Sequence, residues 1–315
     1  MAITTTSTLP SPVQQTFNMK LLAVPVPYLI MKIPAMKEKL PRNGGNTMRF
    51  RRYNPLVPST VPLGNSGITP PSQNLTALDI DAQISWYGQW LEINEQVVLQ
   101  NQEAVLNEAA IRLGVAMRET EDLLVSTMLA TTATQINCVY GTNGQNPTNL
   151  TKTDIDNVVK TLLGASAHMF TDNIEGDLKF GTSPVRPSYI ALAHTDLTSN
   201  LNNVQNFINS SQYPNQQRVL DGEWGSVDNM RFLVSQYGSI SANASSAAQN
   251  VYNIFCCAKE SYAVVDQEGA TPIFIYRPAV YSGPLAQNVT VGYKFAQVPR
   301  LLNDAWLANL RATLS

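Results

Sequence analysis

Two stretches in the first third of the chain alternate between polar and apolar positions. In TALDIDAQISW (76–86), Leu78, Ile80, Ala82, Ile84 and Trp86 fall on one side, with Asp79, Asp81, Gln83 and Ser85 opposite. That period of two is the signature of a half-buried strand. TMRFRRY (47–53) alternates in the same way. The linker between them carries GNSG at 64–67 and Pro70-Pro71, and is too long for a tight hairpin turn. The pattern predicts a long two-stranded protrusion over 41–85. An isolated hairpin is marginal in water, so this one needs a surface to lie on.

The period then changes. Leu106, Ala110, Leu113, Met117, Leu124 and Met128 recur at spacings of three, four and seven, which predicts a helix from about 96 to 133. At 1.5 Å per residue it would run roughly 55–60 Å, more than a compact core needs, so it reads as a structural spine. Glu108 with Arg112 and Arg118 with Asp122 stand at i, i+4, where they would support its exposed sides. Beyond residue 150 the elements shorten. TKTDIDNVVKTLL predicts a helix capped by Thr151 or Thr153 that buries Ile155, Val158, Val159, Leu162 and Leu163. SYIALAH (188–194) and MRFLVSQ (230–236) read as strands, and 195–208 as a helix. NIFCCAKESYAVV (253–265) is followed by PIFIY and the alternating QNVTVGYKFAQV (287–298). A short helix, LNDAWLANLRATL, is expected to close the chain. The class is α+β.

Composition adds a constraint. Only 14% of the 315 residues are charged and the formal net charge is −2, against roughly 25% charged in an ordinary soluble domain. A polar but weakly charged surface resists association poorly, which favours a chain covered by partners and disfavours a basic nucleic-acid binder. The charge is also segregated. Residues 1–52 hold eight basic residues and one acid, whereas 53–111 hold six acids and no Lys or Arg. Eleven of the 19 prolines precede residue 72, so the first segment is expected to be an extended arm. Arg49, Arg51 and Arg52 are therefore candidates to pair with Asp79 and Asp81 on the facing strand, or with acids on a neighbouring chain. These five residues are the predicted inter-subunit contacts. No apolar run approaches the ~20 residues of a membrane span, and MAITTTSTLPSP lacks a signal peptide's basic region. No membrane partner is expected. Cys138, Cys256 and Cys257 read as buried free thiols, which fits synthesis in a reducing cytoplasm.

Catalytic chemistry is hard to find. The sequence has two histidines. His194 lies two residues before Asp196, which suggests a metal ligand or a base, yet no second His, Cys or carboxylate stands at ligand spacing. A strand-end histidine beside a helix-capping Asp196 is the plainer reading, and His168 reads as a helix C-terminal cap. GTNGQNP (141–147) lacks the lysine of a phosphate loop and reads as an ordinary loop. No catalytic residue, cofactor or metal is expected. A soluble α/β enzyme using His194 and Asp196 is the weaker alternative.

Five stretches carry a family likeness when taken together: YGQWLEINEQ (87–96), AIRLGVAMRETEDLLVSTML (110–129), RPSYIALAHTDLTSNL (186–201), DGEWGSVDNMRFLVSQ (221–236) and GPLAQNVTVGYKFAQVPRLLNDAWLANLR (283–311). In this order they resemble the major capsid proteins of N4-like tailed bacteriophages, which adopt the HK97-like fold. The resemblance spans roughly 45 to 311. It implies an N-terminal arm (1–40), an extended β-hairpin loop reaching over a neighbouring subunit (41–85) and a peripheral domain with the spine helix (86–149). An axial domain (150–280) would follow, and then return strands and a C-terminal helix (281–315). The implied function is a shell of hexamers and pentamers forming an icosahedral head around double-stranded DNA. The implied partners are further copies of the chain, a portal protein, a separate scaffold and decoration proteins. An encapsulin-type compartment shell would share the fold. A jelly-roll capsid would not, since that architecture has no place for the spine helix.

Overall fold

The computed structural model describes residues 28–60, 72–100, 105–132, 134–138, 147–170, 187–213, 219–245, 248–270, 273–278, 285 and 287–314. The first 27 residues of the expected arm, the GNSG and Pro-Pro linker, residues 101–104 of the expected spine, most of GTNGQNP and most of GPLAQ lie outside them.

The described chain opens with turns at 31–35, where the Ile33 N–H donates to the Ile30 carbonyl at 3.1 Å, and leads into β1 (Met36–Leu40). It then forms the expected hairpin from β2 (Thr47–Tyr53) and β3 (Ala77–Gln83), and turns through Ile84 into β4 (Ser85–Asn94). Helices α1 (Glu95–Gln100) and α2 (Val105–Leu129) follow. The spine expected to reach 133 stops at Leu129. Thr131, Thr132 and Thr134 give way to β5 (Gln135–Asn137), because β-branched residues crowd a helix and suit a strand. At about 37 Å, α2 is still long. Helix α3 (Lys152–Gly164) starts at Thr151, whose backbone N–H and hydroxyl both donate to the Asp154 carboxylate. It buries Ile155, Val158 and Leu162, whereas Leu163 is 52% exposed, opposite to expectation, because it points away from the sheet beneath.

The second half is built of strands: β6 (Tyr189–His194), β7 (Phe207–Asn209), β8 (Glu223–Val227), β9 (Met230–Ser235), β10 (Ile240–Ser241), β11 (Val251–Cys257), β12 (Tyr262–Gln267), β13 (Ile273–Arg277), β14 (Asn288–Leu301) and β15 (Leu307–Ala312). The helix expected over 195–208 shrinks to a 3-10 turn at 195–197 and α4 (Thr198–Asn202) before β7 begins. The expected C-terminal helix is a strand. Leu307, Ala308, Asn309, Leu310 and Ala312 are all buried, since β15 fills the slot between β5 and β11 and both of its faces are covered. A strand covered on both faces loses the alternation that would have marked it.

Two sheets organise the body. One has eight strands in the order β5-β15-β11-β6-β9-β8-β7, with β10 also on β11. Helix α3 packs on one face, against Tyr189, Ala191, Phe232, Ile254 and Leu310. Val125 and Leu129 at the end of α2, with Ile30 and Met31, pack on the other, against Ile190, Leu192, Leu233, Phe255 and Leu307. The other sheet runs β1-β12-β14-β13, with β4 on the far side of β14. The earlier part of α2 covers it through Leu113 against Val289, Val291, Tyr293 and Phe295. Helix α2 thus braces both sheets. Backbone pairing also crosses the boundaries expected at 150 and 280, because β12 and β13 join the five-stranded sheet and β15 joins the eight-stranded one.

Candidate assembly surface

The β2–β3 hairpin brings four of the five singled-out residues together. Its antiparallel register sets Arg49 opposite Asp81 and Arg51 opposite Asp79. Both pairs are two-pronged. Arg49 donates from Nε and Nη2 to Asp81 at 2.7 and 2.9 Å, and Arg51 does the same to Asp79 at 2.7 and 3.0 Å. The hydrogen bond from Arg51 holds the Asp79 carboxyl below the usual range, and that from Arg49 does the same for Asp81. All four side chains remain solvated, so they fix register more than they add stability. Arg52 does not share this face. It stands opposite Leu78, on the side that carries Met48, Phe50, Ile80 and Ala82.

That apolar side is covered only at the base. Ala82 and Ile84 are buried with Leu40, Val265, Ala270 and Ala296, and Met48 and Phe50 pack against this group. Farther out Leu78 is 44% exposed, and Leu56, Val57 and Leu75 beyond the strands are exposed too. The two arms stay joined beyond the strands. Asn54 N–H donates to the Thr76 carbonyl at 2.9 Å, and the Gln73 amide exchanges hydrogen bonds with the Val57 backbone. From Thr47 to Val57 the arm runs roughly 33 Å at 3.3 Å per residue.

A second exposed apolar region lies on the face of β4 turned away from α2. Trp86 and Trp90 are 63% and 64% exposed there. The alternating pattern assigned Trp86 to the buried side, but cover on that side ends at Ile84. Trp90 walls an open groove of about 380 Å³ with Ile275, Arg277 and Thr290, over a floor of Gly88 and Gly292. A Cβ on Gly292 would lie 2.9 Å from the Gln89 carbonyl oxygen, so glycine is what lets these strands approach. No signal in the sequence sets this stripe apart, since Trp86 shares its parity with the buried Ala82 and Ile84.

His194 and Asp196 do meet, with Nδ1 and Oδ2 3.3 Å apart, but within a local capping arrangement. His194 Nδ1 accepts the Asp196 backbone N–H at 3.1 Å, making His194 itself the cap of the 195–197 turn that Asp196 was expected to cap. The Asp196 carboxylate accepts from the Tyr252 hydroxyl at 3.0 Å, and Gly238 packs against the His194 backbone. His168 lies past the end of α3 with its ring edge-on to Trp306 and caps nothing. The buried Glu223–Arg231 pair, 2.9 Å between Oε1 and Nε, ties β8 to β9. All three thiols are free and buried, and burial pushes Cys256 up to about 12. Among the described residues there is no cluster fit to hold a metal and no helix long and apolar enough to cross a membrane.

The geometry is that of a body with one long, half-uncovered projection, and comparison with known proteins says what kind. The family described as phage capsid protein matches residues 77–294, more than two thirds of the chain. The chain belongs to that family. The capsid protein shares its fold with the capsid of Ralstonia phage GP4 (TM-score 0.71, 11% identity, 96% of each chain covered). It is similarly close to the capsid of cyanophage P-SCSP1u (0.66, 13%, 96% of this chain and 94% of that one). The head structure of Helicobacter pylori bacteriophage KHP40 also matches (0.65, 12%, 100% and 98%). No curated protein matches the sequence. The fold is α+β and HK97-like, and the function is the structural one of a phage capsid protein.

Proposed function

We propose that the capsid protein assembles into hexamers and pentamers of an N4-like icosahedral head, with the 41–85 hairpin lying on a neighbouring subunit. The observation that supports this is the hairpin itself. It runs roughly 33 Å with its distal apolar side uncovered, and a hairpin of that kind is stable only when something covers it. Residues 1–40 then serve as the arm and 41–85 as the extended loop. Segments 86–149 and 281–315 form most of the peripheral domain and 150–280 most of the axial domain, with β5, β12, β13 and β15 exchanged between the two sheets. Arg49, Arg51, Arg52, Asp79 and Asp81 line the contact, the two Arg–Asp pairs presenting a fixed register and Arg52 a cation beside Leu78 with no ion pair among the described residues. The chain is made in the bacterial host cytoplasm and works in the virion. A portal protein, a separate scaffold and decoration proteins are its further partners. Packaged DNA lies against a weakly charged wall, which limits salt-dependent binding to phosphates.

Electron cryomicroscopy of the expressed protein, alone and with the products of neighbouring viral genes, tests this. Closed shells or six-fold sheets are expected, with density for the hairpin on an adjacent subunit. A monodisperse monomer in the presence of scaffold overturns it, as does a hairpin folded back on its own chain.

A further inference from the structure

Asp122 stands on α2 and is 2% exposed. The i, i+4 pattern made it a surface partner of Arg118, but the side chain turns inward toward residues 28–33. One carboxylate oxygen, Oδ1, accepts the Met31 backbone N–H at 3.1 Å, and Oδ2 has no hydrogen-bond partner among the described residues. The segment it meets is fastened on both sides. Ile30 and Met31 are fully buried, the Tyr28 carbonyl accepts from the Ser235 hydroxyl, and the Met31 carbonyl accepts from the Tyr262 hydroxyl. Beside Asp122, Lys32 Nζ pairs with Glu121 Oε2 at 2.7 Å. Just downstream the chain adds β1 in parallel to the edge of β12.

We propose that Asp122 is a proton-operated latch between residues 28–33 and the long helix: with the carboxyl neutral the segment docks firmly, and ionisation loosens the seam. The geometry supplies the reason. An ionised carboxylate in this seam is desolvated, and the backbone N–H groups of Met31 and Ile30 with the nearby Lys32 only partly compensate for a buried charge. A proton on the unpartnered Oδ2 removes the charge and leaves Oδ1 accepting from Met31.

The charged and titratable groups around it set the direction. Burial raises Asp122 to about 6, against the Met31 and Ile30 backbone N–H groups and Lys32, which lower it; Glu121 raises it further. From β12, the Tyr262 phenol interacts with Asp122, and Asp266 faces the same Lys32 and Glu121. Lys37 and Lys39 on β1 act on Asp266, and Cys257 on β11 acts on Tyr262. In the undocked chain Asp122 returns to an ordinary carboxylate value near 3.8. Docking therefore takes up a proton between about 4 and 6. It strengthens as pH falls through 6, by at most roughly a hundredfold over the whole interval, and the gain is absent above 6.

Hydrogen-exchange mass spectrometry of the full chain from pH 4.5 to 8, corrected for intrinsic exchange, tests the latch on peptides covering 28–35 and 118–126. The expected result is protection rising about tenfold or more as pH drops through 6, while peptides in β6 and β11 stay constant. Asp122→Asn should abolish the step. Should that variant not fold, Lys32→Met should move the midpoint to higher pH and Glu121→Gln to lower pH. A step that survives Asp122→Asn, midpoints that ignore Lys32 and Glu121, or constant protection in the unaltered chain overturns the proposal. The latch concerns one chain, so its failure leaves the shell reading untouched.

Discussion

The β2–β3 hairpin and the eight-stranded sheet are built from the same kind of strand and stabilised in opposite ways. In β6 every residue is buried, with α3 on one face and the end of α2 on the other. In β3 only Ala82 is fully covered, although the strand alternates more cleanly than β6. The sheet draws its stability from its own chain. The hairpin has a sharply specified register, two Arg–Asp pairs and a matched apolar side, with little buried area behind it. Register without burial is what a strand pair needs if its covering surface arrives on another molecule, since a one-residue slip would turn the apolar side the wrong way.

The largest effect should come from the sheet. Phe255 is fully buried between the β-sheet and the end of α2, so Phe255→Ala should cost about 3–5 kcal/mol and lower the yield of folded protein before assembly is reached. Urea denaturation of the unassembled protein reads this directly. A cost below about 1 kcal/mol would mean that the sheet is not the stabilising centre.

The hairpin should answer differently. Reversing Arg51 and Arg52 to Glu puts one new carboxylate opposite Asp79 and another beside Leu78. The chain should keep its circular dichroism and denaturation midpoint, because the altered side chains are exposed, yet fail to form shells. Normal particles from this double variant would sink the idea that hairpin charge sets register. The single variants separate the two faces. Arg51→Glu disturbs the internal pair, whereas Arg52→Glu can act only through what covers the apolar side.

Much of this contrast was legible in the sequence, for a physical reason. The hairpin lies half in water, so its alternation survives as a pattern, and Arg49 and Arg51 could be set against Asp79 and Asp81 as a group, while the partner of each arginine comes from the register. Arg52 was grouped with them by charge, although its parity places it with Phe50 and Met48. Elements covered on two faces were harder. In LANLRA the apolar residues satisfy a helix or a strand equally, and only the open slot between β5 and β11 decides. Asp122 was misread for a related reason. Helical spacing records which residues neighbour each other along α2, but a carboxylate held by the backbone of residue 31 leaves no periodic trace.

Leu78 sharpens the comparison at smaller amplitude. Leu78→Ser removes apolar surface that the isolated chain leaves in water, so monomer stability should change by no more than about 0.5 kcal/mol. If a neighbour covers this side, shells should form with a raised critical concentration or disassemble at lower urea. Light scattering during assembly measures both. An unaltered critical concentration would leave the distal hairpin uncovered in the particle and move the contact elsewhere, with the Trp86–Trp90 face as the next candidate.

The smallest effect expected is also the most discriminating. Exchanging the partners of one pair, Arg49→Asp with Asp81→Arg, keeps opposite charges face to face in the same register. If the pair serves only to align the two strands, shells should form at close to the normal rate, while either single substitution alone slows assembly. If Arg49 or Asp81 also meets a charge on the adjacent subunit, the exchange presents that subunit with a reversed pattern and should fail as badly as the singles. Particle yield from the four proteins therefore separates a register device inside the chain from a charge contact between chains, at sites too exposed to perturb the fold.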